Sequence, residues 1–213
     1  NSETITSATL IPNTNQVRFT LKSGKTLVFD YYVQQWGTFT NQYAIDSIVW
    51  QDGTIILRSN GTTLRETPNV FTDAGSPIRL KIATSWLSFA NVQGFQRVRR
   101  AQILGGFKSA HNLLVNVCVD FNDNTIQQAV ITPTTPTVYG GSSPYGAEAV
   151  YGGEFQLYQW RIDLARQKCQ AVKLIFEDVP VSGSGEGLNL TSLGFEVGAK
   201  KGLNKMPATQ IVS

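Results

Sequence analysis

Charge is scarce in this chain. Of its 213 residues only 15% are Asp, Glu, Lys or Arg, and 18 basic side chains against 15 acidic ones leave a net charge of +3. So small an imbalance gives no support to a protein that coats nucleic acid or lies on a membrane surface. Histidine is represented once, by His111, and cysteine twice, by Cys118 and Cys169. A catalytic triad needs a base and an orienting acid, and a zinc site needs several imidazoles or thiolates at set spacing; neither set of partners can be named from the sequence. No apolar run approaches membrane-spanning length, and the N-terminus lacks the basic-then-apolar order of an export signal. No window carries a convincing helical period. Methionine is missing from the first position, and Asn1 leads straight into strand-like sequence, so the chain is expected to be a fragment or processed piece of something longer.

Glycine, threonine, valine and aromatic residues are plentiful, a composition suited to strands and turns. The most regular stretch is Gln156 to Asp178. Tyr158, Trp160, Ile162 and Leu164 share one face, with Gln159, Arg161 and Asp163 opposite; after a polar turn at Ala165 to Lys168, Val172, Leu174 and Phe176 oppose Lys173 and Glu177. A period of two over runs this long predicts a hairpin of half-buried antiparallel strands. Its apolar face needs a second layer, and Phe95 to Phe121, with Leu113, Val115, Val117, Val119 and Phe121 in phase, supplies one. The expected fold is all-β, an antiparallel β-sandwich over residues 76–213 preceded by a propeller-like β-meander over residues 1–70.

Within the meander, Val17, Phe19 and Leu21 alternate with Arg18 and Thr20, and Ser23-Gly24-Lys25 turns the chain into a hairpin. Asp52-Gly53 and Asn60-Gly61 mark two further tight turns between β-branched runs. Up-and-down meanders of this size are the units of β-propellers; one or one and a half of them cannot close a ring, so the remaining blades would lie upstream in a longer parent. PNVFTDAGSP, with two prolines and no alternation, reads as a connector. Ile78 to Phe89 reads as the first sandwich strand, Lys108 to Asn112 as a break, and Asn122-Asp123-Asn124 as a turn. Pro133 to Gly153 is a long Tyr/Gly-rich loop with Tyr139, Tyr145 and Tyr151 at even six-residue spacing, each followed by Gly. Structureless segments of this length inside a domain are usually functional or disordered.

Candidate chemistry is thin. His111, beside Lys108, reads as an exposed turn residue. Both cysteines fall on the more polar face of their strands, which predicts two free thiols rather than an inter-sheet disulfide. Asp120, Asn122 and Asn124 imitate the start of a calcium loop, but its sixth position is Thr125 and its twelfth Ile131, and turn chemistry explains the acidic and amide residues without a metal. Gly105-Gly106 and Gly152-Gly153 precede no helix, so no phosphate cradle is expected. No cofactor or metal is implied. FQRVRRAQ, Phe95 to Gln102, is the densest basic strand, with Arg97 and Arg99 on one face. That pattern suits either a charge-protected strand face or a ladder facing phosphates.

The succession VFDYYVQQWGTF, DGTIILRSNGTTLRE, the connector with Asp73-Ala74-Gly75, IATSWLSF, RVRRAQILGGF, VNVCVDFND, YQWRIDLARQKCQAVKLIFED and GLNLTSLGFEVGAKKGL resembles the C-terminal part of the tail nozzle or tail-hub (tail tubular) proteins of bacteriophages. The resemblance runs over nearly the whole chain and rests on the order of elements rather than on a catalytic signature. It implies no enzyme. It implies a structural virion protein, assembled in the host cytoplasm, that forms a homo-oligomeric ring around the DNA-ejection conduit beside other tail or portal-adaptor proteins. Tyr139, Tyr145 and Tyr151 are then expected as subunit contacts, and Arg97, Arg99 and Arg100 as contacts to passing DNA or an acidic neighbour. The competing class is a jelly-roll-like carbohydrate-binding module for host attachment, in which Trp36, Trp86, Tyr139 and Tyr145 would stack on sugar rings while Trp160 stays in the core.

Overall fold

The computed structural model describes residues 3–89, 96–107, 109–132, 157–181 and 185–198. The chain is all-β with antiparallel sheets, and it divides into two compact units, Asn1–Val70 and Phe71–Ser213.

In the first unit β1 (Ile5–Ile11), β2 (Gln16–Leu21), β3 (Thr26–Asp30) and β4 (Gln35–Phe39) make one up-and-down sheet in sequence order. A second sheet contains β5 (Ala44–Trp50), β6 (Gly53–Arg58) and β7 (Thr63–Arg65). The β2–β3 and β6–β7 loops share one geometry. Gly24, at φ 84°, donates to the Leu21 carbonyl, and Gly61, at φ 83°, donates to that of Arg58. These are positions where a left-handed backbone favours glycine. The Asp-Gly turn sits one residue earlier than its sequence suggests. Gln51 and Asp52 carry the positive φ values of 46° and 60°, and Gly53 pairs with Trp50 as the first residue of β6.

Register decides the faces of the first sheet. Ser7 pairs with Thr20 and Thr20 with Thr26, so these hydroxyls line one side, where all three are buried together with Thr9. That side meets β5: Ser7 Oγ lies 2.6 Å from Ser47 Oγ, and Thr9 Oγ1 donates to the Ser47 carbonyl at 3.1 Å. Thr6 Oγ1 also donates to the Ala44 carbonyl, at 2.6 Å. Buried hydroxyls need such partners, so hydrogen bonds help to specify the seam beside the buried Ile11, Val28 and Ala44. The opposite side carries two largely apolar cross-strand rows, Leu10–Val17–Phe29–Trp36 and Ala8–Phe19–Leu27–Thr38, while Ile11, Val28 and Phe39 share the hydroxyl-lined side.

The second unit begins with a short hairpin, β8 (Thr72–Asp73) and β9 (Ser76–Pro77), turned by Ala74 and Gly75. Next come β10 (Lys81–Ala83), β11 (Gln96–Phe107), β12 (His111–Val119) and β13 (Asn122–Ile131). The chain then contributes β14 (Tyr158–Asp163), β15 (Lys168–Cys169), β16 (Val172–Pro180) and β17 (Leu188–Gly198). One sheet has the order β10-β16-β12-β13. In the other, β11 is central, with β17 along one edge and β14 followed by β15 along the other. The core lies between them: Val98, Ala101, Ile103 and Phe107 of β11 and Ile162 of β14 pack with Leu113, Val115 and Val117 of β12 and Val172, Leu174 and Phe176 of β16. Each such side chain, if fully buried, contributes about 1.5–3 kcal/mol.

Several sequence expectations are corrected here. Gln156 to Asp178 is not a hairpin, because β14 pairs with β11 while β16 pairs with β12 in the other sheet. The polar segment Ala165 to Lys168 is a bulged corner within one edge of β11, held where the Leu164 N–H donates to the Arg99 carbonyl and the Val98 N–H to that of Gln167. The chain then crosses at Gln170-Ala171, as strands that switch sheets do at bulges. Likewise β11 crosses to become β12. His111 is therefore no exposed turn residue; it opens β12 and is 4% exposed.

Cys169 faces the core rather than the polar side, whereas Cys118 keeps the phase of Asn116, opposite Lys173, and is buried there; both are free thiols. Phe121 leaves the apolar row: Asp120 and Phe121 have φ values of 56° and 59°, forming the hairpin turn that was expected at Asn122 to Asn124, and Phe121 is 62% exposed. Of Ile78 to Phe89 only Lys81–Ala83 pairs as a strand, since Thr84 Oγ1 then takes the Leu174 N–H and interrupts the ladder. Leu87 returns as a single bridge to Val172.

Candidate functional site

The outward face of the β11 sheet gathers the basic residues. Along β11 the burial alternates from Gln96 to Arg99, and then a bulge between Val98 and Arg100, opposite Val197 and Glu196, interrupts the alternation. Two successive arginines consequently face outward. Arg97, Arg99 and Arg100 are brought together there, as their strand spacing suggested for the first two and the bulge adds for the third. Neighbouring strands extend the patch: Lys168 lies opposite Arg97, and Arg161 opposite Gln102. Against these cations stand Asp163 and Glu196. Arg100 Nε approaches Asp163 Oδ1 at 3.3 Å and Glu196 Oε2 at 3.1 Å, and Arg99 approaches Glu196 at 3.5 Å. Arg97 Nε donates instead to Gln167 Oε1 at 2.9 Å, which anchors it beside Lys168, with no ion pair to an acidic side chain among the described residues. Gln102, Gln159, Ser192 and the glycines Gly194 and Gly198 complete the face, with Leu104 between Gln159 and Ser192. Chemically, unpaired cations on such a face can attract anionic groups.

A second polar group is buried where β11 crosses to β12 and β16 to β17. His111 Nδ1 and Asp178 Oδ1 are 2.9 Å apart, and Asp178 Oδ2 accepts the Leu188 N–H at 3.3 Å. Ser109 Oγ donates to the Glu186 carbonyl at 2.8 Å and closes the same crossing. Gly187 is required by closeness: a Cβ there would lie 2.1 Å from Asp178 Oδ2 and 2.8 Å from His111 Nδ1. Sequence reasoning missed this pair, although the signal was present: His111 and Asp178 continue, at period two, the core-facing rows of Leu113–Val119 and Val172–Phe176.

Elsewhere the candidates are dispersed. Trp86 packs against Phe121 with ring centroids 5.4 Å apart and carries Lys173 Nζ 5.6 Å from its centroid, so its faces are engaged. Trp36 is 63% exposed and tilts on Phe29 at 4.8 Å and Phe19 at 6.4 Å. Trp36 with Phe29 and Phe19 thus presents an exposed aromatic surface on the β1–β4 sheet. A cleft in the first unit, lined by Thr9, Arg18, Thr20, Ser47 and Glu66 among others, has a volume of about 30 Å³, the share of a single water molecule. Arg18 spans it to Glu66 at 2.8 Å. Tyr139, Tyr145 and Tyr151 lie outside the described residues. Among the described residues no group of three or more His, Cys, Asp or Glu side chains could hold a metal ion, and no helix is long and apolar enough to cross a membrane.

No protein-family model and no curated protein matches the chain.

Proposed function

We propose that this chain is a non-enzymatic structural subunit of a bacteriophage tail, a nozzle or hub protein that assembles into a ring around the DNA-ejection conduit of the virion. The succession of sequence elements motivates the reading. The observation that carries it is the outward face of the β11 sheet, where a bulge turns Arg97, Arg99 and Arg100 to one side beside Arg161 and Lys168, against only Asp163 and Glu196 among the described residues of that face. A rigid sheet with spaced guanidiniums and no deep pocket suits brief contact with passing DNA or a lasting contact with an acidic neighbouring subunit. It does not suit tight, sequence-specific binding. Tyr139, Tyr145 and Tyr151 are assigned to subunit contact, since tyrosine and glycine are useful at interfaces.

The test is light scattering across a concentration series, followed by images of the assembly. A closed ring of defined copy number is expected, and a strict monomer overturns the ring. Replacing the three tyrosines by alanine is expected to abolish assembly; unchanged rings would remove them from the interface.

A further inference from the structure

The cations on the outward face of the β11 sheet differ in how far they are compensated. Arg97 lies between Gly198 of β17 and Lys168 of β15, and among the described residues no acidic side chain forms an ion pair with it. Glycine keeps this end of the face open, since even a Cβ at position 198 would touch Arg97 Cβ at 3.7 Å. Arg99 and Arg100 are held differently. The bulge makes Arg99 the extra residue of β11, so that both arginines are opposed by one residue of β17, Glu196. Its two carboxylate oxygens divide between them: Oε1 lies 3.5 Å from Arg99 Nη1 and Oε2 lies 3.1 Å from Arg100 Nε. On the other edge Asp163, the β14 partner of Arg100, brings Oδ1 to 3.3 Å from the same Nε. Arg100 Nε makes no hydrogen bond in this arrangement. Its contacts are therefore ionic rather than directional, and half-exposed pairs of that kind are weak and screened by salt. Another anion can replace them.

We infer that Glu196 is a built-in competitor for the ligand of this face. It occupies Arg99 and Arg100, so an arriving phosphodiester backbone meets Arg97, Arg161 and Lys168 first and gains the other two cations only by displacing the carboxylate. The inference rests on the reading of this face as a contact to DNA and names what limits that contact. An acidic protein suits the arrangement less well, because its carboxylates would merely exchange with one already tethered in place. Duplex DNA instead brings one charge per about 1.7 Å of its axis and releases counterions for the phosphates that are met. The number of phosphates neutralised, and with it the strength of binding, is then set by a single acid placed by a bulge. DNA is held briefly and let go.

The experiment measures binding of a fluorescein-labelled duplex by anisotropy over a series of salt concentrations, for the unmodified chain, E196Q and E177Q, with poly-glutamate as a second probe. Glu177 lies on β16 in the other sheet, opposite Lys81 and Leu114, so E177Q makes the same change in net charge away from the arginines. E196Q is expected to bind at least about fivefold more tightly at low salt and to steepen the slope of log K against log salt by about one unit, the share of one further phosphate contact. E177Q is expected to keep the slope of the unmodified chain. If Glu196 served only to brace β17 against β11, E196Q would lower the thermal midpoint without steepening the slope, and the inference would fall. Equal gains in E196Q and E177Q overturn it as well, since net charge alone would then account for them. In both cases, duplex binding by the unmodified chain that is lost in R97E/R99E leaves the DNA contact standing. No duplex binding by any of these chains, or binding of poly-glutamate in its place, overturns the DNA contact and the inference with it.

Discussion

His111 and Asp178 are joined at 2.9 Å in the interior of the second unit, each 4% exposed, and the second carboxylate oxygen of Asp178 reaches the Leu188 N–H at 3.3 Å. Three strands, β12, β16 and β17, are tied at one point. Replacing His111 by alanine removes the side-chain partner of the buried Asp178, and leaving a buried hydrogen-bonding group without its partner costs about 1–3 kcal/mol. The urea midpoint of H111A is expected to fall accordingly. D178N keeps an acceptor for Leu188 and is expected to lose less than D178A; equal losses would mean that the Leu188 contact contributes nothing.

Gly187→Ala is expected to be destabilising by about 1–3 kcal/mol, the usual cost of forcing atoms into a packed site. Its Cβ would come within 2.1 Å of Asp178 Oδ2. Gly105→Ala meets the Asn189 carbonyl oxygen at 2.6 Å, where β11 and β17 change register, and is expected to behave alike. Gly61→Ala meets no atom within 4 Å and carries only the strain of a left-handed backbone at φ 83°, about 1–2 kcal/mol, so its thermal midpoint should fall least of the three.

R97E/R99E is expected to fold normally and to lose binding to duplex DNA or to an acidic partner, read by fluorescence anisotropy at two salt concentrations. The salt dependence of the unmodified chain should be steeper than that of the variant, because each phosphate contact removed lowers the slope by about one unit. Arg100 carries an additional structural share through Asp163 and Glu196, so R100A should cost up to about 1 kcal/mol, diminishing at high salt, as for a half-exposed pair.

Burial pushes the Cys169 thiol up from its ordinary value of 9.0; the Gln96 hydrogen bond and Arg166 act in the opposite sense, and Asp120 adds to the rise. A raised acid in the folded state binds its proton more tightly than in the unfolded chain. Stability from this group is thus fully present below the unfolded value and is lost as pH rises through the folded one. Unfolding free energy is expected to decline above about pH 9, and C169A to flatten that decline. Neither cysteine should react with a thiol reagent until the chain unfolds, since both are fully buried.

How far the sequence could be read depended on the quantity asked of it. Period two correctly grouped Tyr158, Trp160 and Ile162, and Val172, Leu174 and Phe176, because side-chain alternation is local. It did not reveal that these strands belong to different sheets, since the bonds that keep Gln167 on β11 come from Val98, far away in sequence. In the first unit the same alternation grouped Val17 with Phe19, but hydropathy does not say which side of a sheet finds a cover. The hydroxyls Ser7 and Thr9 took the inner side because Ser47 could satisfy them, and Thr20 because Thr26 could. Arg97 and Arg99 were legible as one face, whereas Arg100 joined them through a bulge that no spacing rule encodes. His111 was misread for a simpler reason: a polar neighbourhood suggested a turn, while its phase with Leu113 and Val115 pointed inward.

Strand β11 also governs the order in which a nascent chain can mature. Its partners on both edges, Tyr158–Asp163 and Leu188–Gly198, come only after the β12–β13 hairpin that follows it directly. Emerging from the ribosome, β11 therefore waits with two bare hydrogen-bonding edges and the apolar row of Val98, Ala101 and Ile103 uncovered. Such an edge is a template for pairing with other chains. Translation that stalls before Leu188 should yield polypeptides that coaggregate, and holdase chaperones should engage this window more than any earlier one.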